Sequence, residues 1–176
     1  MNRPLLRFCA LLLVVVPLPA FAQVQLTFHS FTGSVFVGRF PHAFISLAGT
    51  LEATGEPINE NYGYTAVTTS PIILTKNVDG EIHVEKVKYL TSTNRHFTVP
   101  LSDEQYWAVR AEVDKWRDAP GADYSLDKNN CVHFVSRIAA LDGLVADVPK
   151  KMVRKPKDWL NYVIRMNPQL GAREIK

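Results

Sequence analysis

Cys131 follows Asn129 and Asn130 directly and is itself followed by Val132, Val135, Ile138 and Ala139 at helical spacing. That spacing puts its sulfur in the first turn of a helix. Unpaired backbone N–H groups and the positive end of the helix dipole favour an anion there, and cysteines so placed ionise well below the free value of about 8.5. The chemistry that follows is nucleophilic attack by a thiolate. The plainer alternative is a small buried apolar residue, the common fate of a lone cysteine.

A cysteine nucleophile needs a base, usually histidine, and a third polar group to orient the imidazole. The chain has five histidines. His133 is two residues beyond Cys131, about 200° around a helix, and so faces away from the sulfur. His83 occupies a polar position in a charge-rich stretch, and His96 follows Asn94 and Arg95; both read as solvated. His29 ends an alternating stretch with nothing beside it to mark a site. His42 follows Pro41 and opens Ala43-Phe-Ile-Ser-Leu47, so a rigid strand would fix its ring, which makes it the best base.

The elements that must position this pair divide the chain in two. Residues 24–100 read as strands and turns: Val24 to Ser30, Ser34-Val-Phe-Val37, His42 to Leu47, Glu56 to Ala66, Ile72-Ile-Leu-Thr75, Glu81 to Tyr89 and Arg95 to Val99. From Leu101 the pattern is helical. Ser102-Asp-Glu-Gln105 is a capping box, and Tyr106, Val109, Val113 and Trp116 form one apolar stripe. The Cys131 helix runs to Gly143, and a last helix starts at Pro156. A β-rich half followed by an α-rich half predicts an α+β fold, with an antiparallel sheet packed against C-terminal helices.

The first 22 residues carry Arg3 and Arg7, an apolar run from Cys9 to Val16 broken at Pro17, and Ala20-Phe-Ala22 before Gln23. This is the layout of a secretory signal peptide cleaved after Ala22, which predicts a periplasmic or secreted protein with no stable membrane insertion. Residues 23–176 then form one domain, in which Cys131 is the single cysteine and no intramolecular disulfide can form. The formal charge of +3 drops to +1 when Arg3 and Arg7 leave, so a nucleic-acid partner is not expected. Lys150, Lys151, Arg154, Lys155 and Lys157 read as a solvated connection.

Taken together, Pro41-His42-Ala-Phe-Ile-Ser-Leu47, a hairpin leading to Glu60-Asn-Tyr-Gly-Tyr64, Tyr124-Ser-Leu126 and Asn130-Cys131-Val-His-Phe134-Val135 resemble the circularly permuted papain-like cysteine hydrolases. These are relatives of NlpC-type peptidoglycan peptidases and of lecithin retinol acyltransferase, and in them the histidine strand precedes the cysteine helix, as here. The resemblance covers residues 39–144. It implies a permuted NlpC-type fold, catalytic Cys131 and His42, and a third polar side chain on the strand after the histidine strand. Pairing about a turn near Leu51 would put Glu60 opposite His42, with Asn59 and Asn61 as substitutes one register step away. Many members carry histidine at that place and this chain does not, so a solvated hairpin charge stays open as the reading of Glu60.

The oxyanion donors expected beside the Cys131 amide are the Asn130 side chain and the Tyr124 hydroxyl, although Tyr124 could equally anchor a loop. The implied activity is acyl transfer on an amide, with peptidoglycan peptides as the substrate suggested by export. A lipid or lipoprotein ester or amide is the alternative within the same chemistry, and a binding module with a buried, inert Cys131 the alternative outside it. An inhibitor protein as partner stays open. The histidines lack metal-ligand spacing and no glycine-rich phosphate loop is present, so neither a metal nor another cofactor is expected.

Overall fold

Val24, Leu26 and Phe28 alternate with Gln25, Thr27 and His29, and this period of two forms strand β1 (Val24–Phe31). In a computed structural model that describes residues 23–33, 40–68, 70–119, 121 and 123–176, β1 lies within a five-stranded antiparallel sheet. Strands β2 (His42–Thr50), β3 (Pro57–Ala66), β4 (Gly80–His83) and β5 (Asn94–Leu101) complete it, in the order β4-β3-β2-β1-β5. The expected leader, residues 1–22, and the expected strand Ser34-Val-Phe-Val37 lie outside the described residues.

Four α-helices accompany the sheet among the described residues: α1 (Val87–Leu90), α2 (Asp103–Arg117), α3 (Cys131–Leu141) and α4 (Pro156–Met166). The fold is α+β. Helix α2 starts at the expected capping box, with Ser102 Oγ accepting from the Gln105 amide and Gln105 Oε1 accepting from the Ser102 amide. Val24, Leu26, Phe28, Ala43, Ile45 and Leu47 point from the sheet into one core with Phe134, Val135, Ile138, Trp159, Leu160 and Val163 of α3 and α4. Burial of that common face is what holds helices to sheet.

Among the described residues one expected strand is absent and another is shortened. The stretch at Ile72 is a 3₁₀ turn, Pro71–Leu74, capped by Ser70, and none of its residues is buried. Pro71 has no N–H to give a ladder, and no buried position rewards extension there. The stretch at Glu81 pairs only through His83, because β4 lies at one edge of the sheet and β5 at the other. Residues 84–93 must therefore leave the ladder and cross the sheet, and α1 forms within this crossover.

The crossover runs over the face opposite the core, and that face holds it at both ends. Asn61 takes the place of a strand partner for Glu85, with Oδ1 accepting from its amide at 2.6 Å and Nδ2 donating to its carbonyl at 3.1 Å. At the other end His29 Nδ1 lies 3.1 Å from Thr93 Oγ1 and Nε2 lies 2.9 Å from Ser46 Oγ. The Thr93 hydroxyl already donates to the Leu90 carbonyl, so it accepts from Nδ1–H, and the Ser46 hydroxyl donates to Nε2. Between the two clamps the rings of Phe31, His42, Phe44 and His29 pack side by side, His29 stacking on Phe44 at 4.8 Å.

Both nitrogens of His29 are used in its neutral form, and the ring is buried. Burial, with Arg95 adding to it, lowers the His29 pKa from 6.5 to about 4. His96, bonded to Ser30 Oγ at 2.8 Å, is likewise lowered to about 4, chiefly by burial. The unfolded chain therefore binds protons that the folded chain refuses between about pH 6.5 and pH 4. The stability that depends on these rings is complete above pH 6.5, falls through that window and is gone below it, at roughly 2–3 kcal/mol for each ring. Denaturant unfolding between pH 7 and pH 4 is expected to lose several kcal/mol, and His29→Gln to remove about half of that pH dependence; a pH profile unchanged by the substitution would contradict the assignment.

Candidate active site at the start of the Cys131 helix

Helix α3 begins on Asn130, whose side chain has every polar atom engaged. Its Oδ1 accepts from the Val132 amide at 2.8 Å and from the His133 amide at 3.4 Å. Its Nδ2 donates to the carbonyls of Leu126 at 2.6 Å and Val153 at 2.7 Å. Asn130 is thus a helix cap and a clamp between two loops, and it has no donor left for an oxyanion, which corrects the expectation from sequence. His133 turns back to the Asn130 amide and closes the capping box, so it is turned away from the sulfur as helix geometry requires.

The cap fixes Cys131 where the helix meets the end of the sheet. Backbone N–H groups of Ala43, Val132 and Cys131 lie near enough to the sulfur to favour its anion, the Val132 N–H being the one already given to Asn130 Oδ1. Cys131 is 5% exposed, and burial outweighs those three donors, pushing the thiol up to about 11. The expected acidified cysteine is therefore not the resting state. A helix terminus carries only about half an elementary charge, less than a fully desolvated thiolate needs. To become nucleophilic, the sulfur must hand its proton to a neighbour.

His42 is the residue before Ala43, and its imidazole lies on the crossover face while Ala43 faces the core. Cys131 and His42 nevertheless line one cavity of about 610 Å³, which wraps around the end of the sheet. The His42 ring rests on Gly63 of β3: a methyl group there would overlap His42 Nε2 and come within 3.1 Å of Phe44 Cβ. Tyr124 also lines the cavity, buried, with its backbone bridged to Val78 and its ring against Tyr64. Burial raises the Tyr124 pKa, and the nearby Cys131 adds to the rise, so a neutral hydroxyl stands beside the sulfur. Tyr124 anchors its loop through this bridge.

The third residue falls elsewhere than expected. The β2–β3 hairpin turns at residues 51–56, where the amides of Glu52 and Ala53 are held by the Asp103 carboxylate at 2.8 and 2.9 Å. This sets Glu60 opposite Leu47 and not opposite His42, and it sets Asn59 opposite Ala48 and Asn61 opposite Ser46. Glu60 faces α2, where Arg110 Nη1 donates to it at 2.5 Å and the Tyr106 hydroxyl lies 3.4 Å away. Asn61 is spent on the crossover, as described. None of the three shares the cavity.

Among the polar side chains that do share it with His42 are Thr65, His83, Glu85 and Tyr89. Gly63 pairs with His83, so this histidine stands on the same face just across the glycine on which His42 rests. Glu85, one alternation further, is 8% exposed. His83 is exposed, as expected from sequence, while Glu85, which sequence reasoning did not single out, is buried; the alternation Glu81, His83, Glu85 marked a polar strand face. No group of three or more His, Cys, Asp or Glu among the described residues could hold a metal ion. No family model, curated protein or solved structure matches the chain.

Gly63→Ala tests whether the His42 position matters separately from the thiol. The nearest atoms to the added methyl belong to His42, which it displaces, and to Phe44, and alanine is tolerated in extended backbone, so stability should change by less than about 2 kcal/mol. Any activity that depends on His42 should fall at least about 10-fold, read as turnover beside the unfolding midpoint. Unchanged turnover would show that His42 need not sit there.

Proposed function

We propose that the protein is an exported cysteine acyl hydrolase of the permuted papain-like kind, with Cys131 as nucleophile and His42 as base. One observation carries the reading: the cysteine at a capped helix start shares its cavity with a strand histidine from the other half of the chain. His42 takes the Cys131 proton as the sulfur attacks the acyl carbonyl. A C–S bond forms, and the carbonyl electrons go to oxygen, which the backbone N–H of Cys131 and the Tyr124 hydroxyl can bind. The imidazolium returns its proton to the leaving oxygen or nitrogen. Water, deprotonated by His42, then cleaves the thioester and releases the acid.

The walls bear on the substrate. Phe31, Phe40, Leu74, Leu126, Val132 and Val153 line the cavity, and such a surface suits an apolar acyl chain better than the polar stem peptide of peptidoglycan. The lipid or lipoprotein ester or amide, second by sequence, is therefore the substrate class favoured here. The raised thiol pKa favours a different reading, a binding module with an inert cysteine, and one comparison separates the two. Native protein and Cys131→Ala are incubated with a long-chain acyl ester and with a peptidoglycan digest, and products are followed by mass spectrometry. The acyl ester should be hydrolysed, with the variant folded and slower by at least about 1000-fold. Equal rates in the two proteins, or none in either, would end the hydrolase reading, and selective cleavage of the digest would restore the peptide substrate.

A further inference from the structure

Large apolar side chains usually leave the surface, yet several stand exposed together where the Cys131 cavity opens. Phe40 is 56% exposed and Leu74 64% exposed, and both line the cavity. Ile72, in the same 3₁₀ turn as Leu74, is 46% exposed. Ile73 of this turn packs against the core, but Ile72 and Leu74 stand exposed on either side of it, and folding of the domain does not explain them.

The cavity wall continues through Val153, Arg154 and Pro156, and this stretch is basic. Lys150, Lys151, Arg154 and Lys155 are all exposed, and Lys157 is half-buried. Arg154 is paired with Asp127 at 2.8 Å, and Asp158 is exposed nearby, so the stretch keeps a positive excess after both acids are counted. No helix among the described residues is long and apolar enough to cross a membrane. An apolar lip beside a basic lip matches a surface that is apolar at depth and anionic at its boundary.

We propose that the rim of the Cys131 cavity docks on an anionic phospholipid surface. Phe40, Ile72 and Leu74 enter the acyl boundary, and Lys150, Lys151 and Lys155 meet the phosphate headgroups. The proposal rests on reading the cavity as an acyl site, since docking in this pose turns its mouth toward lipid. It also gives the basic stretch a partner where sequence alone suggested only a solvated connection.

Co-sedimentation tests it, using the native chain, Ile72→Ser/Leu74→Ser and Lys151→Glu/Lys155→Glu, all with the same N-terminus. The probes are vesicles of phosphatidylcholine, vesicles of phosphatidylcholine with phosphatidylglycerol, and peptidoglycan sacculi. All substituted positions are exposed, and an unchanged unfolding midpoint verifies folding. The native chain should bind the phosphatidylglycerol vesicles at least about fivefold more than the others, less so as salt rises, and each variant should lose most of that binding. Equal binding by native chain and variants, or binding to sacculi and not to vesicles, would overturn it. Hydrolysis of a soluble short-chain ester by the native chain is measured in parallel. Hydrolysis without vesicle binding removes only the docking surface, and vesicle binding without hydrolysis removes only the acyl-site reading.

Discussion

The site depends on the Asn130 side chain. One amide group caps α3 and ties that cap to the carbonyls of Leu126 and Val153, in the loops on either side of the helix start. Each of these groups is a backbone donor or acceptor near the protein interior, where an unmade hydrogen bond costs about 1–3 kcal/mol. Satisfying them together fixes the first turn of α3 against the end of the sheet. It also brings Val153, and with it the basic stretch, to the wall of the same cavity. The position of Cys131 is therefore a consequence of backbone accounting more than of its own contacts.

The sheet divides the remaining work between its faces. Ala43, Ile45 and Leu47 anchor β2 to the helices, while His42, Phe44 and Ser46 look the other way, under the crossover held by Asn61 and His29. His42 and Ala43 are neighbours in sequence on opposite faces, so the end of β2 can offer an imidazole from one and an N–H to the sulfur from the other. Gly63 leaves the space into which that imidazole settles. Stability and chemistry meet here, since the polar groups that hold the crossover also shape the wall beside His42.

Much of this was legible in the residues. The Ser102 capping box, the asparagine before the Cys131 helix, the alternation of β1 and β2, the helix at Pro156 and the α+β order follow from local patterns whose physical causes lie within a few residues. Register was not legible, because the hairpin turn is fixed by Asp103, far along the chain, and a shifted turn moved Glu60 from His42 to Arg110. Nor was the state of the thiol, since the helix start is visible in sequence while the burial that outweighs it is not. The burial of Glu85 was hidden for a related reason. A polar strand face reads as solvent-facing until a crossover and a cavity cover part of it.

The central claim is that the neutral, buried Cys131 thiol is activated by His42. Alkylation of Cys131 by a small thiol reagent, followed from pH 5 to pH 11 by peptide mass spectrometry in the native chain and in His42→Ala, tests it most directly. A thiolate–imidazolium pair predicts a limb of reactivity near neutral pH in the native chain that disappears in the variant, leaving only the rise toward about 11. A single rise toward that high value, the same in both proteins, would contradict it and leave Cys131 a buried structural residue.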